Sequence, residues 1–348
     1  MIDEGETGAT APEPWSPPLP WQAAWLAETL RARDRAHHAL LVTGPAGLGK
    51  KILAMNLAQA LLCEKPRPDG LACGKCAGCA YVAARTHPDM QVLDLFDYDE
   101  KAEEWVPVNE IRVERVRRVT RMLETSAHRA GDRVAVIAPA ERMNDEASNA
   151  LLKTLEEPPS GTRLVLVSHQ PGRLMPTVTS RCLRVDAPRP SGDEAIAWLR
   201  SRGVADPAEV LAEAGGSPLA ALALAEPAER TERNAWFDAL ARPDRLAPMA
   251  MGARIEAGGK EERKSRLAAA LDALASWTAD LARVSAGGRP RRLPGRAEAM
   301  ASLVPRVARI DLCRYHRSVV LQRAYVSHPL QPRLVVEGLL AGYVALFD

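Results

Sequence analysis

The stretch His38-Ala39-Leu40-Leu41-Val42-Thr43-Gly44-Pro45-Ala46-Gly47-Leu48-Gly49-Lys50-Lys51 decides how the rest of the chain is read. Its first half, HALLVT, is an apolar run of strand length. Its second half, GPAGLGKK, fits G-x-x-x-x-G-K and misses only the final Ser/Thr. Residues 52–62 (ILAMNLAQALL) follow as an apolar helix. A strand, a glycine loop and a helix in succession form a phosphate-binding unit, because glycines let the backbone curl so that its N–H groups face inward. The candidate contacts are Gly44, Pro45, Gly47, Gly49, Lys50 and Lys51. Lys50 would meet the outer phosphates as a point charge. Lys51 stands where a hydroxyl normally holds Mg²⁺, and a protonated lysine cannot be a ligand.

Outward from this unit the pattern alternates. Gln91–Phe96, Val134–Ala138 and Arg163–Ser168 read as strands, with Leu183–Val185 as one more. Residues 21–36, 109–125 and 146–155 read as helices, the last stopped by Pro158-Pro159. Such alternation implies a parallel α/β sheet. Strand signals stop near residue 187. Two or three short helices fill 188–228, and the remainder is helical throughout. Val134-Ala135-Val136-Ile137 runs into Ala138-Pro139, where a hydrolytic phosphate-loop enzyme needs an acidic pair for metal and water. Asp94 and Asp97 end another strand and are weak stand-ins.

Composition narrows the class. The chain has 348 residues, 47% hydrophobic, 26% charged and 4% aromatic, with a net charge of +2. That length suggests two or three domains, and the low aromatic content favours packed helices over an all-β fold. No global charge excess steers it to nucleic acid or membrane, so a basic contact must be local. Residues 109–133 carry seven Arg against four acidic residues, and 287–317 eight against two. No apolar run reaches membrane-spanning length. The acidic, proline-rich start (MIDEGETGATAPEPWSPPLP) lacks the form of a signal peptide, so a cytoplasmic location and reduced cysteines are expected.

Four of the six cysteines, Cys63, Cys73, Cys76 and Cys79, are crowded within 63–79 as C-x9-C-x2-C-x2-C. In a reducing compartment this spacing points to structural, tetrahedral Zn²⁺ with no open position for catalysis. Lys65, Arg67 and Lys75 would offset its charge. Cys182 and Cys313 are isolated and read as packed thiols.

GPAGLGKK, the cysteine insert, HPD at 87–89, NALLKTLEEP at 149–158 and Ser180-Arg181-Cys182 occur here in the order found in bacterial clamp-loader subunits. The chain thus resembles the AAA+ clamp-loader family of the DNA polymerase III holoenzyme, by motif over about 20–228 and more weakly beyond. The resemblance implies a flexible tail at 1–19 and an AAA+ domain at 20–187 with a zinc module at 63–79. It further implies a helical lid at 188–230 and a helical collar for oligomerisation at 231–348. Residues 334–346 would be its last helix, packed within the domain or against partners. Partners implied are the ATPase motor subunits (gamma/tau), the delta subunit, the sliding clamp and, through the complex, primed DNA. In this family the SRC arginine reaches a neighbour's ATP site, so Arg181 is expected to act in trans as an arginine finger, with Ser180 and Cys182 orienting the turn. Ser168-His169 falls at the first sensor position.

The departures at Lys51 and Ala138-Pro139 mark a subunit without intrinsic ATPase, although part of a DNA-directed DNA polymerase holoenzyme. Binding of ATP or ADP is expected to be weak or absent. An active motor subunit is the first alternative, opposed by those same departures. A zinc-containing phosphate-loop scaffold outside replication is the second, opposed by NALLKTLEEP followed by SRC.

Overall fold

The computed structural model describes residues 11–99, 101–129, 131–323 and 331–347, with the backbone alone at 260 and 261. They form two compact units, divided after Pro190.

The first unit is built on a five-stranded sheet. In chain order its strands are β1 (Ala39–Thr43), β2 (Met90–Leu93), β5 (Arg133–Ile137), β6 (Thr162–Ser168) and β7 (Leu183–Asp186). Their spatial order is β2-β5-β6-β1-β7, and every pairing is parallel. Strand β1 lies between β6 and β7 with all five residues buried. Leu40 and Val42 point into one core, shared with Leu53, Leu57 and Leu61 of helix α2 (Lys50–Leu61). Ala39 and Leu41 point into another, shared with Val116, Val119 and Leu123 of α4 (Val113–Glu124) and Leu151 and Leu155 of α5 (Asp145–Glu156). A sheet covered on both faces calls for continuous apolar strands rather than alternation, as HALLVT and VAVI show. Helix α1 (Ala23–Arg31) adds Leu26 and Leu30 to the α2 side.

Three features depart from the sequence reading. The expected strand 91–96 splits. β2 ends at Leu93, Asp94 accepts the Phe96 N–H (3.1 Å), and the chain turns into an antiparallel hairpin of β3 (Phe96–Asp99) and β4 (Glu104–Pro107). A short helix, α3 (Ala77–Ala83), is capped at its start by the Cys76 sulfur, which accepts the Cys79 N–H. The expected flexible tail divides. Residues 1–10 lie outside the described residues, whereas Asn56 and Arg85 donate to the Ser16 and Glu13 carbonyls and Leu19 is buried.

The second unit, 191–348, is helical wherever it is regular. α7 (Gly192–Ser201), α8 (Pro207–Glu213) and α9 (Pro218–Leu224) precede α10 (Pro227–Leu240), α11 (Pro248–Ala253), α12 (Lys260–Ser285), α13 (Ala297–Leu303), α14 (Arg309–Arg323) and α15 (Pro332–Val344). Trp236, Phe237, Trp277 and Tyr343 form the aromatic centre of its core. The Trp277 indole donates to the Tyr343 hydroxyl, which donates to the Leu240 carbonyl, both at 2.8 Å. Pairing these ring heteroatoms avoids the roughly 1–3 kcal/mol that a buried, unsatisfied polar group would cost. Helix α15 packs Val336, Leu340 and Tyr343 into this core, so the apolar 334–346 segment serves its own unit. Cys313 is exposed on α14, not packed as the sequence reading had it.

One glycine tests a close approach of backbone to backbone. Gly161, at φ +75°, precedes β6, and a Cβ there would lie 2.4 Å from the Gly131 carbonyl oxygen. Gly161→Ala is expected to cost about 2–3 kcal/mol, from left-handed strain plus displaced backbone. Gly172→Ala, with open space around it, should change stability by less than about 0.5 kcal/mol. Denaturant melts of both variants, followed through the first unit's transition, check the difference.

Candidate functional site

The phosphate loop joins β1 to α2. Gly44, Gly47 and Gly49 have φ of 144°, 78° and 77°, and Gly49 caps α2 in the left-handed region. A residue with a Cβ would resist each of these turns. The loop's outer side is clamped by Trp21 and Gln22, on the helical turn before α1. The Trp21 indole donates to the Leu48 carbonyl (3.3 Å), and the Gln22 amide donates to Leu48 (3.3 Å) and Gly49 (2.8 Å). The N–H groups of Gly49 and Lys50, trans to those carbonyls, therefore turn the other way. Lys50 is fully buried and donates to the Pro45 carbonyl at 2.6 Å. Sequence reasoning placed Trp21 at the start of a helix over 21–36 and missed the clamp. The available signal was an indole N–H that needs a partner when buried.

The adjoining position is filled by an ion-pair cluster. Lys51 Nζ lies 3.0 Å and Arg85 Nη1 2.8 Å from the same oxygen of Asp94. Asp94 follows β2, and Leu93 is in register with Ile137, next to Ala138. The cluster therefore stands beside the strand end where the acidic pair of a hydrolytic enzyme would be. Burial works against the Asp94 charge, yet Lys51 and Arg85 hold its carboxyl below the usual range. Its other oxygen accepts the Phe96 N–H. The Asp94 carboxylate, weighed above as a stand-in metal ligand, is thus fully engaged. Asp97 pairs with Arg118 at 3.0 Å. The residues present do not fit Mg²⁺: the hydroxyl is a lysine, the nearby carboxylate is neutralised, and Ala138 and Pro139 offer no side-chain ligand.

Nearby acidic and sensor positions are also turned to structure. Glu141 Oε1 accepts the N–H groups of His169 (2.9 Å) and Gln170 (3.1 Å), and Ser168 Oγ accepts the latter as well. The basic stretch 109–133 is largely spoken for. Arg115 donates to the Asp94 and Phe96 carbonyls, and Arg133 to those of Leu123, Thr125 and Ser160. Arg112, Arg118 and Arg129 pair with Glu110, Asp97 and Glu64.

The four cysteines converge. Their sulfurs lie within 4.8 Å of one another, with Cys63–Cys76 at 3.8 Å and Cys73–Cys79 at 3.9 Å. A tetrahedron with metal–sulfur bonds of about 2.3 Å has edges of about 3.8 Å, so the set could hold a metal ion. Backbone N–H groups of Lys75 and Cys76 point at the Cys73 sulfur and pull its pKa down to about 6. Cys63 directly follows the end of α2, and Gln59 on that helix donates to the Cys79 carbonyl (3.1 Å). His87 and Asp89 of the HPD stretch are buried. Asp89 accepts the His128 and Arg129 N–H groups, anchoring the loop before β5.

Arg181 follows the short helix α6 (Pro176–Thr179). It is about one-third exposed; Nη2 is 2.6 Å from Glu156 Oε1, and Nη1 donates to the Thr177 carbonyl at 3.0 Å. Glu156 belongs to NALLKTLEEP, so two stretches separate in sequence meet at one surface.

The parallel sheet, phosphate loop and these two meeting motifs define the AAA+ clamp-loader class. Residues 22–190 match the family described as DNA polymerase III, delta subunit. The chain is 44% identical to the DNA polymerase III subunit delta' of Pseudomonas aeruginosa over 218 residues, 62% of this chain and 63% of that protein. It is 41% identical to the subunit delta' of Escherichia coli over 195 residues, 55% of each. The Bacillus subtilis subunit delta' is 29% identical over 150 residues, 43% of this chain and 42% of that protein. Over these residues the chain is similar to the DNA polymerase III delta' subunits. The match spans less than two thirds of each of these relatives.

Removing Asp94 would leave Lys51 and Arg85 buried without a counter-charge. Asp94→Ala is expected to destabilise the first unit by about 3–5 kcal/mol. The loss should be smaller when Lys51→Met is added, because one stranded cation is then removed. A double-mutant cycle in urea measures both.

Proposed function

We propose that the chain is a non-hydrolysing subunit of the DNA polymerase III clamp loader that completes a neighbouring subunit's ATP site with Arg181. The observation that carries this reading is the Lys51–Asp94–Arg85 cluster, which fills the place of hydrolytic machinery, set against Arg181 at the surface. An arginine held by an exposed carboxylate, a carbonyl and a neighbouring hydroxyl gives up little on moving, since such surface pairs contribute at most about 1 kcal/mol. A neighbour's γ-phosphate would compete well for it, as a guanidinium offset against transition-state charge. Ser180 shapes the turn, its hydroxyl accepting from Arg181 Nη1 (3.3 Å).

In this reading residues 20–187 are the AAA+ domain, 188–230 the lid and 231–348 the collar that joins the ring. Gamma/tau motor subunits, the delta subunit and the sliding clamp are its partners, and primed DNA is met through the complex. With most of the 109–133 arginines tied within the chain, Arg117 and Arg121 on the exposed side of α4 are the cations left for DNA. No helix among the described residues is long and apolar enough to cross a membrane. The metal of the four cysteines is Zn²⁺ in a structural role. All four ligands come from the protein, which leaves no place for water or substrate.

The purified chain is expected to carry one zinc ion, and Cys73→Ser to lose it and loosen the insert. Elemental analysis with limited proteolysis of 63–85 checks this; metal-free wild-type protein with a protected insert would contradict it.

In the reconstituted complex, Arg181→Ala should leave assembly intact and slow the neighbour's site by about 10³-fold or more. Total DNA- and clamp-stimulated ATPase then falls by that one site's share. Arg181→Lys should rescue poorly, because an ammonium cannot reproduce the guanidinium fork. Unchanged turnover in a normally assembled complex would remove the arginine from this role. The isolated wild-type chain should show no turnover of its own.

A further inference from the structure

Arg181 is tied to a carboxylate that its own helix does not favour. Glu156 is the last residue of α5, whose first turn carries Asp145 and Glu146 and whose last turn carries Lys153. Those three charges follow the helix dipole, which favours anions at the N-terminus and cations at the C-terminus. Glu156 runs against it, and so does Glu157, the next residue and also exposed. A charge set against a local rule is expected where another role outweighs it.

The ion pair is not needed to hold the turn that carries Arg181. Val178 of α6 is fully buried in the core that contains Leu151 and Leu155 of α5, and Cys182 packs against the same core. The backbone closes the turn by itself: the Ser180 N–H donates to the Pro176 carbonyl (3.0 Å) and the Arg181 N–H to that of Val178 (3.2 Å). The chain at 181 is thus fixed from both sides, and the side-chain contacts decide only where the guanidinium points. Nη2 lies 2.6 Å from Glu156 Oε1, while Nη1 donates to the Thr177 carbonyl and the Ser180 hydroxyl.

We propose that Glu156 is a positioning residue that restrains Arg181. It keeps the guanidinium on the chain's own surface and yields it only to a neighbouring subunit's phosphate brought close enough to compete. The inference rests on reading Arg181 as an arginine finger and names the residue that regulates it. Carboxylate and phosphate both take a guanidinium through charge-assisted, fork-like hydrogen bonds, so they compete directly for it. Glu156 and Glu157 together outweigh the one charge of Arg181, so this patch does not draw a polyphosphate from a distance. An open interface therefore leaves the arginine on Glu156. A closed one, with phosphate in reach, takes it over, and the exposed carboxylate returns to water at little cost.

The test is ATPase of the reconstituted complex, measured without and with clamp and primed DNA. The share of the site that Arg181 completes is the difference between each complex and its Arg181→Ala counterpart. With Glu156→Gln that share should rise about threefold in the unstimulated complex, the size of effect expected from releasing an exposed ion pair. In the stimulated complex, where phosphate already holds the arginine, it should change by less than about twofold. Added to Arg181→Ala, Glu156→Gln should have no effect, because the carboxylate acts only through the arginine. An unchanged unstimulated share, a stimulated share that falls several-fold, or an effect of Glu156→Gln that persists with Arg181→Ala would each overturn the restraint and leave the finger standing. Arg181→Ala without effect on either rate would overturn both. Should Glu156→Gln not assemble, Glu156→Asp, which draws the carboxylate back by one methylene, decides by the same pair of rates.

Discussion

Lys51, Asp94 and Arg85 come from three places: the first turn of α2, the end of β2 and the loop after α3. Their meeting fixes how these elements abut. Taking a carboxylate out of water is costly, and only the two cations and the Phe96 N–H make its charged form tolerable there. The chain accepts that burden at the one spot where a hydrolytic relative would place a metal. The electrostatics of the phosphate loop, the split of β2 from the following hairpin and the seat of the cysteine insert all depend on the same carboxylate.

Much of the first unit was legible because its signals are local. HALLVT, GPAGLGKK and the helix after them lie within one window, and a strand buried on both faces shows as an unbroken apolar run. The cysteine spacing is local too, and the four sulfurs do converge. What escaped reading was non-local. QVLDLF looks like one strand, since nothing in its neighbourhood says that Asp94 will be held by residues far before it and will turn the chain at Phe96. The β3–β4 hairpin is short and charged, so its alternation of Phe96, Tyr98 and Trp105 is masked by DYDEKAEE. The clamp of Trp21 and Gln22 on the loop carbonyls is likewise a contact between distant segments. The basic stretch at 109–133 could be weighed in sequence by composition alone. Its arginines look like a patch in sequence, but five of the seven answer carbonyls and carboxylates of the same unit.

Arg181 and Lys51 illustrate opposite uses of a cation. Lys51 is buried and locked, so its charge belongs permanently to its own loop. Arg181 is about one-third exposed on Glu156, in a turn fixed by α6, so its backbone is positioned while its guanidinium is cheap to move. The proposed division of labour between subunits would use both: one site made quiet, and one residue available to a site elsewhere. In this chain Glu156 of NALLKTLEEP holds the arginine of SRC.

The left-handed backbone of Arg85 has a further consequence, for what the insert can tolerate. The excursion begun by Lys51 returns at Arg85 to the same carboxylate, and inside it the four cysteine sulfurs gather within 4.8 Å of one another between Cys63 and Cys79. A segment pinned at both ends in this way is insulated from its own length. Adding residues between Cys63 and Cys73 raises the closure cost only logarithmically, by about 0.6 kcal/mol per doubling. Residues 65–68, exposed between Glu64, which pairs with Arg129, and Leu71, which packs on the α2 core, should therefore accept insertions, tags or labels that would be ruinous a few positions later, where a single added residue would rotate Arg85 off its mark.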